Sequence, residues 1–285
     1  MIALQEITAA AAAKLTPADK ERTLRSLMHK LQRVLVAYSG GVDSSYLAKI
    51  ATEELGQGAT CVIGLSPSVS TFQRESAIRI AKANGFNIQM LETDELADPR
   101  YAANQGNRCY FCKSELYSKL AEVAGGQKAV ILDGTNADDL NGHRPGRVAA
   151  SEHSVRSPLA ELGFTKEDIR ELSKTAGIET WNQPASPCLS SRIAVGVPVT
   201  LERLSRIERA EAILRDLGFL EFRVRVHGDL ARVEISPSEM PVALDLAVVG
   251  RIARGLKETG FKFVTLDLEG FRSGSVSVSN DTVQN

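Results

Sequence analysis

Two glycines, three serines and an aspartate crowd the segment Ser39-Gly40-Gly41-Val42-Asp43-Ser44-Ser45. It follows the apolar run Val34 to Tyr38 and precedes a predicted helix. Glycines let the backbone approach an anion closely, hydroxyls donate hydrogen bonds, and the first turn of a helix presents N–H groups that favour negative charge. We therefore predict a nucleotide-phosphate site. Its candidate binding residues are Ser39, Gly40, Gly41, Asp43, Ser44 and Ser45.

This loop is not a Walker loop, because the Gly-Lys-Ser/Thr sequence and its spacing are missing. The order S-G-G-x-D-S instead resembles the PP-loop signature of ATP pyrophosphatases. Those enzymes split ATP between the α and β phosphates and activate an oxygen as an adenylate. A plain serine and glycine turn is the alternative, but the strand and helix that a phosphate loop requires are predicted on both sides.

A second polar loop, Asp133 to Asp139, follows the apolar run Ala129 to Leu132. Carboxylates beside a polyphosphate are suited to Mg²⁺, which takes few protein oxygens and several phosphate oxygens. We expect this loop to close over ATP. The nucleotide-binding candidates are Gly134, Thr135, Asn136 and Asp138, and the Mg²⁺ candidates are Asp43 and Asp138. The alternative is that the polar side chains only cap a short helix.

The chain has four cysteines. Cys109 and Cys112 open a predicted helix on one face, where a metal or cluster could bridge the thiols. A redox pair, half a zinc site and coincidence remain alternatives. Cys188 lies in a proline-bounded segment that we expect to be too irregular for the core, and an exposed cysteine beside Arg192 has a favourable environment for thiolate formation. Cys61 is expected to be a small buried hydrophobe.

Arginines alternate with apolar residues in the predicted strand Glu221 to Val226, so that they point to one face of it. We expect this face to receive the substrate or a nucleotide phosphate, and Glu211 is a further candidate for this site or for a metal. A solvated basic strand face is the alternative. The substrate-binding candidates are Arg192, Glu211, Arg223 and Arg225.

The predicted pattern of strands and helices that position these residues differs between the first and second parts of the chain. Continuously apolar strands alternate with helices in the first half, which predicts an α/β fold with a doubly wound parallel sheet. The predicted strands there are Val34 to Tyr38, Thr60 to Leu65, Asn87 to Leu91 and Ala129 to Leu132. The predicted helices are Ser44 to Leu55, Thr71 to Asn84 and Cys109 to Val123.

From Thr200 the predicted order is a helix (201–217), a hairpin (221–226 and 231–235), a helix (241–259) and a strand (263–268). A chain of 285 residues exceeds a typical single domain. We predict a PP-loop domain at 1–183, a cysteine-bearing linker at 184–199, a small C-terminal α/β domain for substrate binding or oligomerisation at 200–271, and a disordered tail at 272–285.

Four motifs together resemble the LarE family, and the resemblance covers nearly the whole chain: Ser39 to Ser45, Gly134 to Asp139, Arg108 to Lys113 and Pro187 to Arg192. The resemblance implies a PP-loop sulfur transferase. Such an enzyme adenylates a carboxylate of pyridinium-3,5-biscarboxylic acid mononucleotide, releases pyrophosphate and forms a thiocarboxylate, during biosynthesis of the nickel-pincer nucleotide cofactor of lactate racemase.

The resemblance leaves two sulfur donors open. In single-cysteine members the sulfur comes from a cysteine that matches Cys188 and is left as dehydroalanine. This sequence adds Cys109 and Cys112 to Cys188 and so resembles the three-cysteine branch, in which the thiols hold a [4Fe-4S] cluster that can carry an extra sulfide. Three thiolates leave one iron open, so that an external sulfur source could reload it. The resemblance thus implies ATP, Mg²⁺ and a [4Fe-4S] cluster, and a homo-oligomer.

Composition narrows the alternatives. The formal net charge of −1 does not indicate a nucleic acid as ligand, and no apolar segment approaches the roughly 20 residues of a membrane span, so we expect a cytoplasmic protein. Three alternatives stay open: a PP-loop tRNA thiolation enzyme, an ammonia-using adenylating ligase, and a non-enzymatic scaffold. In the scaffold, the three cysteines and either His143 or His153 would bind structural zinc.

Overall fold

The computed structural model of the chain describes residues 15–141 and 145–272, which form two compact units. The first contains the described residues up to Glu95 together with Cys109–Ser186, and the second contains Leu96–Arg108 together with the described residues from Pro187. The boundaries proposed after residues 183 and 199 stay predictions. None of the helices in these ranges is long and apolar enough to cross a membrane.

The first unit is built on a four-stranded parallel sheet, as predicted. Its strands are β1 (Val34–Ala37), β2 (Ala59–Leu65), β3 (Ile88–Glu92) and β4 (Val130–Leu132). The order across the sheet is β3-β2-β1-β4, and all three strand pairs are parallel. The loops that follow β1 and β4 therefore leave the sheet at the same edge from adjacent strands. These two loops carry the polar motifs.

Helices alternate with these strands, which confirms the predicted α/β fold. They span Pro17–Leu31, Val42–Leu55, Thr71–Ala83, Arg108–Gln127, Pro145–Glu152, Pro158–Glu161 and Lys166–Thr175. Capping boxes begin three of them: the hydroxyl of Thr16 accepts the N–H of Asp19, that of Ser70 accepts the N–H of Gln73, and that of Thr165 accepts the N–H of Asp168. The apolar core includes fully buried side chains of strands, helices and a connecting loop, among them Val36, Tyr46, Leu132 and Phe164.

The second unit has a three-stranded mixed sheet in the order β5-β6-β7, made of β5 (Phe222–His227), β6 (Leu230–Ile235) and β7 (Phe263–Leu266). β5 and β6 form the predicted antiparallel hairpin, with Gly228 at a positive φ of 61° in its turn, and β6 pairs with β7 in parallel. Helices span Pro99–Ala102, Leu201–Asp216, Met240–Ala243 and Leu246–Glu258.

Two predictions for this unit are wrong. The single helix expected at 241–259 is two helices, because the Asp245 carboxylate accepts the N–H groups of Ala247 and Val248 and starts a new helix there. The segment around Cys188 is not too irregular for the core, since the 3₁₀ turn Leu189–Arg192 buries Leu189. The predicted tail lies outside the described residues, apart from Arg272.

Candidate functional site

The phosphate loop leaves β1 through a turn that only glycine fits at position 40. Gly40 has φ of +76°, and a Cβ there would lie 2.6 Å from the Cβ of Ala77. Gly41 is the N-cap residue of the helix Val42–Leu55. The first turn of that helix therefore faces the loop, as an anion site requires.

Serines hold the loop in shape. The Ser44 hydroxyl donates to the carbonyl of Gly41 at 3.1 Å and accepts the N–H of Ser39 at 3.2 Å. Ser39 itself is exposed, whereas Ser44 and Ser45 are buried. The exposed hydroxyl of Ser39 and the backbone thus lie at the surface of the loop, while Ser44 orients them from beneath.

The second loop touches the first. A Cβ on Gly134 would lie 2.9 Å from the backbone nitrogen of Ser44, so glycine permits this close approach. Asp133, which precedes it, is buried and accepts four hydrogen bonds, from the N–H and hydroxyl of Thr135 and from the hydroxyls of Ser157 and Tyr117. Thr135 therefore helps to hold Asp133, and the expected proximity of the two loops is observed.

Carboxylates converge at this junction around a lysine that the sequence analysis missed. The Asp43 carboxylate lies 2.5 Å from the Lys166 ammonium, and the backbone N–H of Lys166 donates to Asp138 at 2.7 Å. Asn136 donates to Asp43 at 3.4 Å, and its own side-chain oxygen accepts the N–H of Asp138 at 2.9 Å. The side chain of Asn136 therefore caps the short helical turn that follows it, which is the alternative role considered for this loop. Asn136 also contacts the phosphate loop.

These oxygens fit a magnesium ion. The Asp43 carboxylate binds the ammonium of Lys166 and the Asp138 carboxylate binds its backbone N–H, so both carboxylates lie next to this residue. Mg²⁺ prefers hard oxygen ligands and uses one or two carboxylates plus substrate phosphates. Thr165 is the N-cap residue of the helix that begins at Lys166, which is a local feature, whereas the reach of this lysine to the phosphate loop depends on tertiary folding.

Two of the candidate sulfur ligands begin one helix. Cys109 is exposed and Cys112 is half-buried, and they are the second and fifth residues of the helix Arg108–Gln127. Thiols one turn apart at a helix N-terminus, where negative charge is favoured, fit two thiolate ligands of a cluster. Cys188 is half-buried and belongs to the second unit. Cys61 is fully buried in β2, as predicted, and burial raises the pKa of its thiol to about 12.

Within the ranges 15–141 and 145–272, no group of three or more histidine, cysteine, aspartate or glutamate side chains is arranged to hold a metal ion. His153 is half-buried in the first unit, and His143, the other histidine of the zinc alternative, lies outside the described residues. The cluster and the zinc alternative both stay predictions.

The cysteine-bearing helix is joined to the second loop by a hydrogen-bonded chain. The Lys113 ammonium donates to the Tyr117 hydroxyl at 2.9 Å, and that hydroxyl donates to the buried Asp133 carboxylate at 2.9 Å. Burial raises the pKa of Tyr117 to about 12, so the phenol keeps the proton that it donates. No motif in the sequence indicated this link.

In the second unit, Arg192 is paired inside the protein. Its guanidinium binds both oxygens of Glu211, at 2.8 and 3.0 Å, and donates to the backbone carbonyl of Cys188 at 3.0 Å. Glu211 also accepts the N–H of Val224 at 3.2 Å. Arg192 was expected to favour the thiolate of Cys188. The structure instead shows it neutralised by Glu211 and holding the carbonyl of that cysteine.

Arg223 and Arg225 share one face of β5, as predicted, but their surroundings differ. Arg225 is buried and binds Glu234 through two hydrogen bonds of 3.1 and 2.9 Å, so the solvated-face alternative does not describe it. Arg223 is half-buried with its guanidinium carbon 4.7 Å from the ring centre of Phe271. Burial, and then the charge of Arg192, lower the pKa of Arg223 to about 10. A bound anion would relieve that penalty.

Known proteins are similar to this chain over much or nearly all of its length. No family model matches the chain. An uncharacterized protein of Synechocystis is 44% identical over 91% of this chain and 97% of its own length. The pyridinium-3,5-bisthiocarboxylic acid mononucleotide synthase of Lactiplantibacillus plantarum is 38% identical over 94% of this chain and 96% of its own length. A GMP synthase of Oceanobacillus iheyensis is 27% identical over 65% of this chain and 40% of its own length.

Proposed function

This chain belongs to the LarE family, and from that membership we propose that it is an ATP-dependent sulfur transferase of nickel-pincer nucleotide biosynthesis. Its substrate is pyridinium-3,5-biscarboxylic acid mononucleotide. A carboxylate oxygen of the substrate attacks the α-phosphorus of ATP, pyrophosphate leaves, and the resulting acyl adenylate accepts a sulfur nucleophile at its carbonyl carbon. AMP then leaves with the former carboxylate oxygen, and a thiocarboxylate remains.

One observation carries the first half of this proposal: two loops meet at the carboxyl edge of the parallel sheet, with Gly134 packed against the backbone of Ser44. The Ser39 hydroxyl and the N–H groups of the following helix are the donors available to the phosphates. Asp43 and Asp138 would hold Mg²⁺, which neutralises phosphate charge when it is bound. Asn136 fixes the carboxylate of Asp43 by a hydrogen bond.

The sulfur step relies on the cysteines. Cys109, Cys112 and Cys188 would hold a [4Fe-4S] cluster, which supplies an open iron for an extra sulfide when it is bound. Cys188 itself is the second candidate donor. Arg192 supports either role, because it binds the carbonyl of Cys188 and fixes the backbone that carries this thiol.

The arginines of β5 support a substrate with several negative charges. A pyridinium mononucleotide dicarboxylate carries a phosphate and two carboxylates, and guanidinium groups bind such anions well. Arg223 is the residue best suited to the task, because burial already penalises its charge. Arg192, Glu211 and Arg225 complete this proposed substrate site and shape it through the two buried ion pairs.

The remaining parts of the proposal are a cytoplasmic location, assembly into a homo-oligomer and an external sulfur source that reloads the cluster. The near-neutral charge supports a small-molecule substrate over tRNA.

The decisive experiment incubates anaerobically purified protein with ATP, Mg²⁺ and the pyridinium dicarboxylate mononucleotide. We expect AMP, pyrophosphate and a thiocarboxylate product by mass spectrometry, and we expect Asp43→Ala to lose all three. Thiolation of tRNA, or amide formation with ammonium, in place of the thiocarboxylate would contradict the proposal.

Iron and sulfide analysis addresses the donor. About four irons per chain, lost in Cys109→Ala, would indicate the cluster. Iron-free protein that still forms thiocarboxylate once, and leaves dehydroalanine at Cys188, would indicate the cysteine donor. Stoichiometric zinc without ATP cleavage would favour the scaffold.

A further inference from the structure

The phosphate loop has no basic residue of its own. The segment from Ser39 to Ser45 contains neither lysine nor arginine, whereas a Walker loop carries a lysine that reaches the β and γ phosphates. A helix N-terminus contributes only about half of a positive charge. The loop can therefore orient a polyphosphate through N–H groups and hydroxyls, but any cationic side chain that assists Mg²⁺ has to come from another part of the chain.

Lys166 occupies the position where that charge is needed. Its ammonium lies 2.5 Å from the carboxylate of Asp43, which is a residue of the phosphate loop, although the two residues are 123 positions apart. Its backbone N–H donates to Asp138 of the second loop at 2.7 Å. One residue thus binds a carboxylate from each of the two loops that form the candidate nucleotide site.

The backbone of Lys166 is firmly anchored. It is the first residue of a helix that begins with a capping box between Thr165 and Asp168. Asp168 also binds the buried ammonium of Lys20 at 2.6 Å. The backbone is therefore fixed, whereas the four-carbon side chain of a lysine can rotate about its own bonds. The ammonium can change partner without any movement of the helix.

We propose that Lys166 is an ATP-binding residue that exchanges partners. In the nucleotide-free protein its ammonium neutralises Asp43. When ATP and Mg²⁺ bind, the Lys166 ammonium releases the Asp43 carboxylate, which becomes available to the metal. The ammonium then binds the polyphosphate, in the role that the loop lysine has in Walker proteins. This inference rests on the proposed function, because it assumes that the loop binds ATP.

The physical reason for the exchange is charge balance. Two cations repel when they share one carboxylate, so Lys166 and Mg²⁺ compete for Asp43. The incoming triphosphate offers the displaced ammonium several anionic oxygens. Removing the lysine should therefore weaken ATP binding, because ATP loses a cationic partner. It should strengthen the binding of Mg²⁺ alone, because Mg²⁺ loses a competitor for Asp43.

Titration calorimetry can measure both effects on Lys166→Ala and on the neutral variant of similar length, Lys166→Gln. A hydrogen bond to a charged group contributes about 1.5 to 3 kcal/mol, so ATP affinity in the presence of Mg²⁺ should fall roughly 10- to 100-fold. Affinity for Mg²⁺ alone should rise. The control is Lys174→Ala, which removes a lysine of the same helix that lies 4.8 Å from the ring centre of Trp181; it should change neither affinity.

The outcomes separate the inference from the function on which it rests. If the unaltered protein binds no ATP, the proposed function fails and this inference fails with it. If the unaltered protein binds ATP and both variants bind it equally well, only the role of Lys166 is overturned. Weaker ATP binding without tighter Mg²⁺ binding would also overturn the exchange. Thermal unfolding of each variant verifies that folded protein is being compared.

Discussion

The hydroxyl of Tyr117 donates a 2.9 Å hydrogen bond to the buried carboxylate of Asp133. Tyr117 follows Cys109 and Cys112 on one helix, about two turns beyond the first of them, and Asp133 begins the loop that packs against the phosphate loop. A buried hydrogen bond therefore links the helix with the candidate sulfur ligands to the candidate nucleotide loop. Loss of that bond should affect both.

Tyr117→Phe is expected to lower the free energy of unfolding by about 1 to 3 kcal/mol, because the Asp133 oxygen loses a partner in a buried place. Pyrophosphate release should also slow. Denaturant unfolding measures the first effect. The matched control is Tyr110→Phe on the same helix, whose hydroxyl bonds the carboxylate of Glu152 at an exposed position. That variant should change stability by less than about 0.5 kcal/mol, and an equal loss in both would contradict the special role of Asp133.

Gly134→Ala should weaken ATP binding, because the new methyl group would lie 2.9 Å from the backbone nitrogen of Ser44 and push the two loops apart. Overpacking of this kind costs about 1 to 3 kcal/mol. Gly125→Ala is the control, because a Cβ there meets nothing within 4 Å, and this helical substitution should stabilise the protein slightly. ATP affinity and thermal unfolding are the measurements. Normal ATP binding by Gly134→Ala would remove the second loop from the nucleotide site.

Glu211→Ala should destabilise the protein by about 3 to 5 kcal/mol, because it leaves the buried charge of Arg192 without its carboxylate. The comparison is Glu202→Ala on the same helix, where an exposed carboxylate pairs with Arg206. An exposed pair contributes about 0 to 1 kcal/mol. Denaturant midpoints distinguish the two variants, and similar small losses in both would show that the buried pair is not a structural support.

Arg223→Met should affect binding and stability differently. Burial and the neighbouring charge of Arg192 lower the pKa of Arg223 to about 10, so folding disfavours the charged form. Removing the charge should therefore leave the free energy of unfolding unchanged or raise it, while affinity for the phosphorylated substrate falls roughly 10-fold or more, as for a lost charged hydrogen bond.

Arg251→Met, on an exposed position of the helix Leu246–Glu258, is the control for Arg223 and should alter neither quantity. Calorimetry with the pyridinium mononucleotide gives the affinity, and denaturant unfolding gives the stability. Unchanged affinity in Arg223→Met would return this arginine to a structural role.

Local chemistry made much of this protein predictable. The phosphate loop, the parallel strands and the ends of the helices predicted to stop at Leu55 and Asn84, each followed by a glycine of positive φ, depend on glycine conformation and on runs of apolar residues, which are properties of neighbours in the chain. The break at Asp245 belongs to the same class, since an aspartate before a helical run is an N-cap signal that the longer apolar pattern obscured.

Contacts between distant residues were decided by tertiary structure alone. Lys166 reaches Asp43 across 123 positions, and Tyr117 reaches Asp133 from another element. Arg192 stands near Cys188 in the sequence, yet its charge is balanced by Glu211 from the helix Leu201–Asp216. Sequence spacing determines which residues share an element and a face, whereas the partner of a buried charge depends on which elements pack together. Packing, and not local pattern, therefore selected the charge partners at the candidate site.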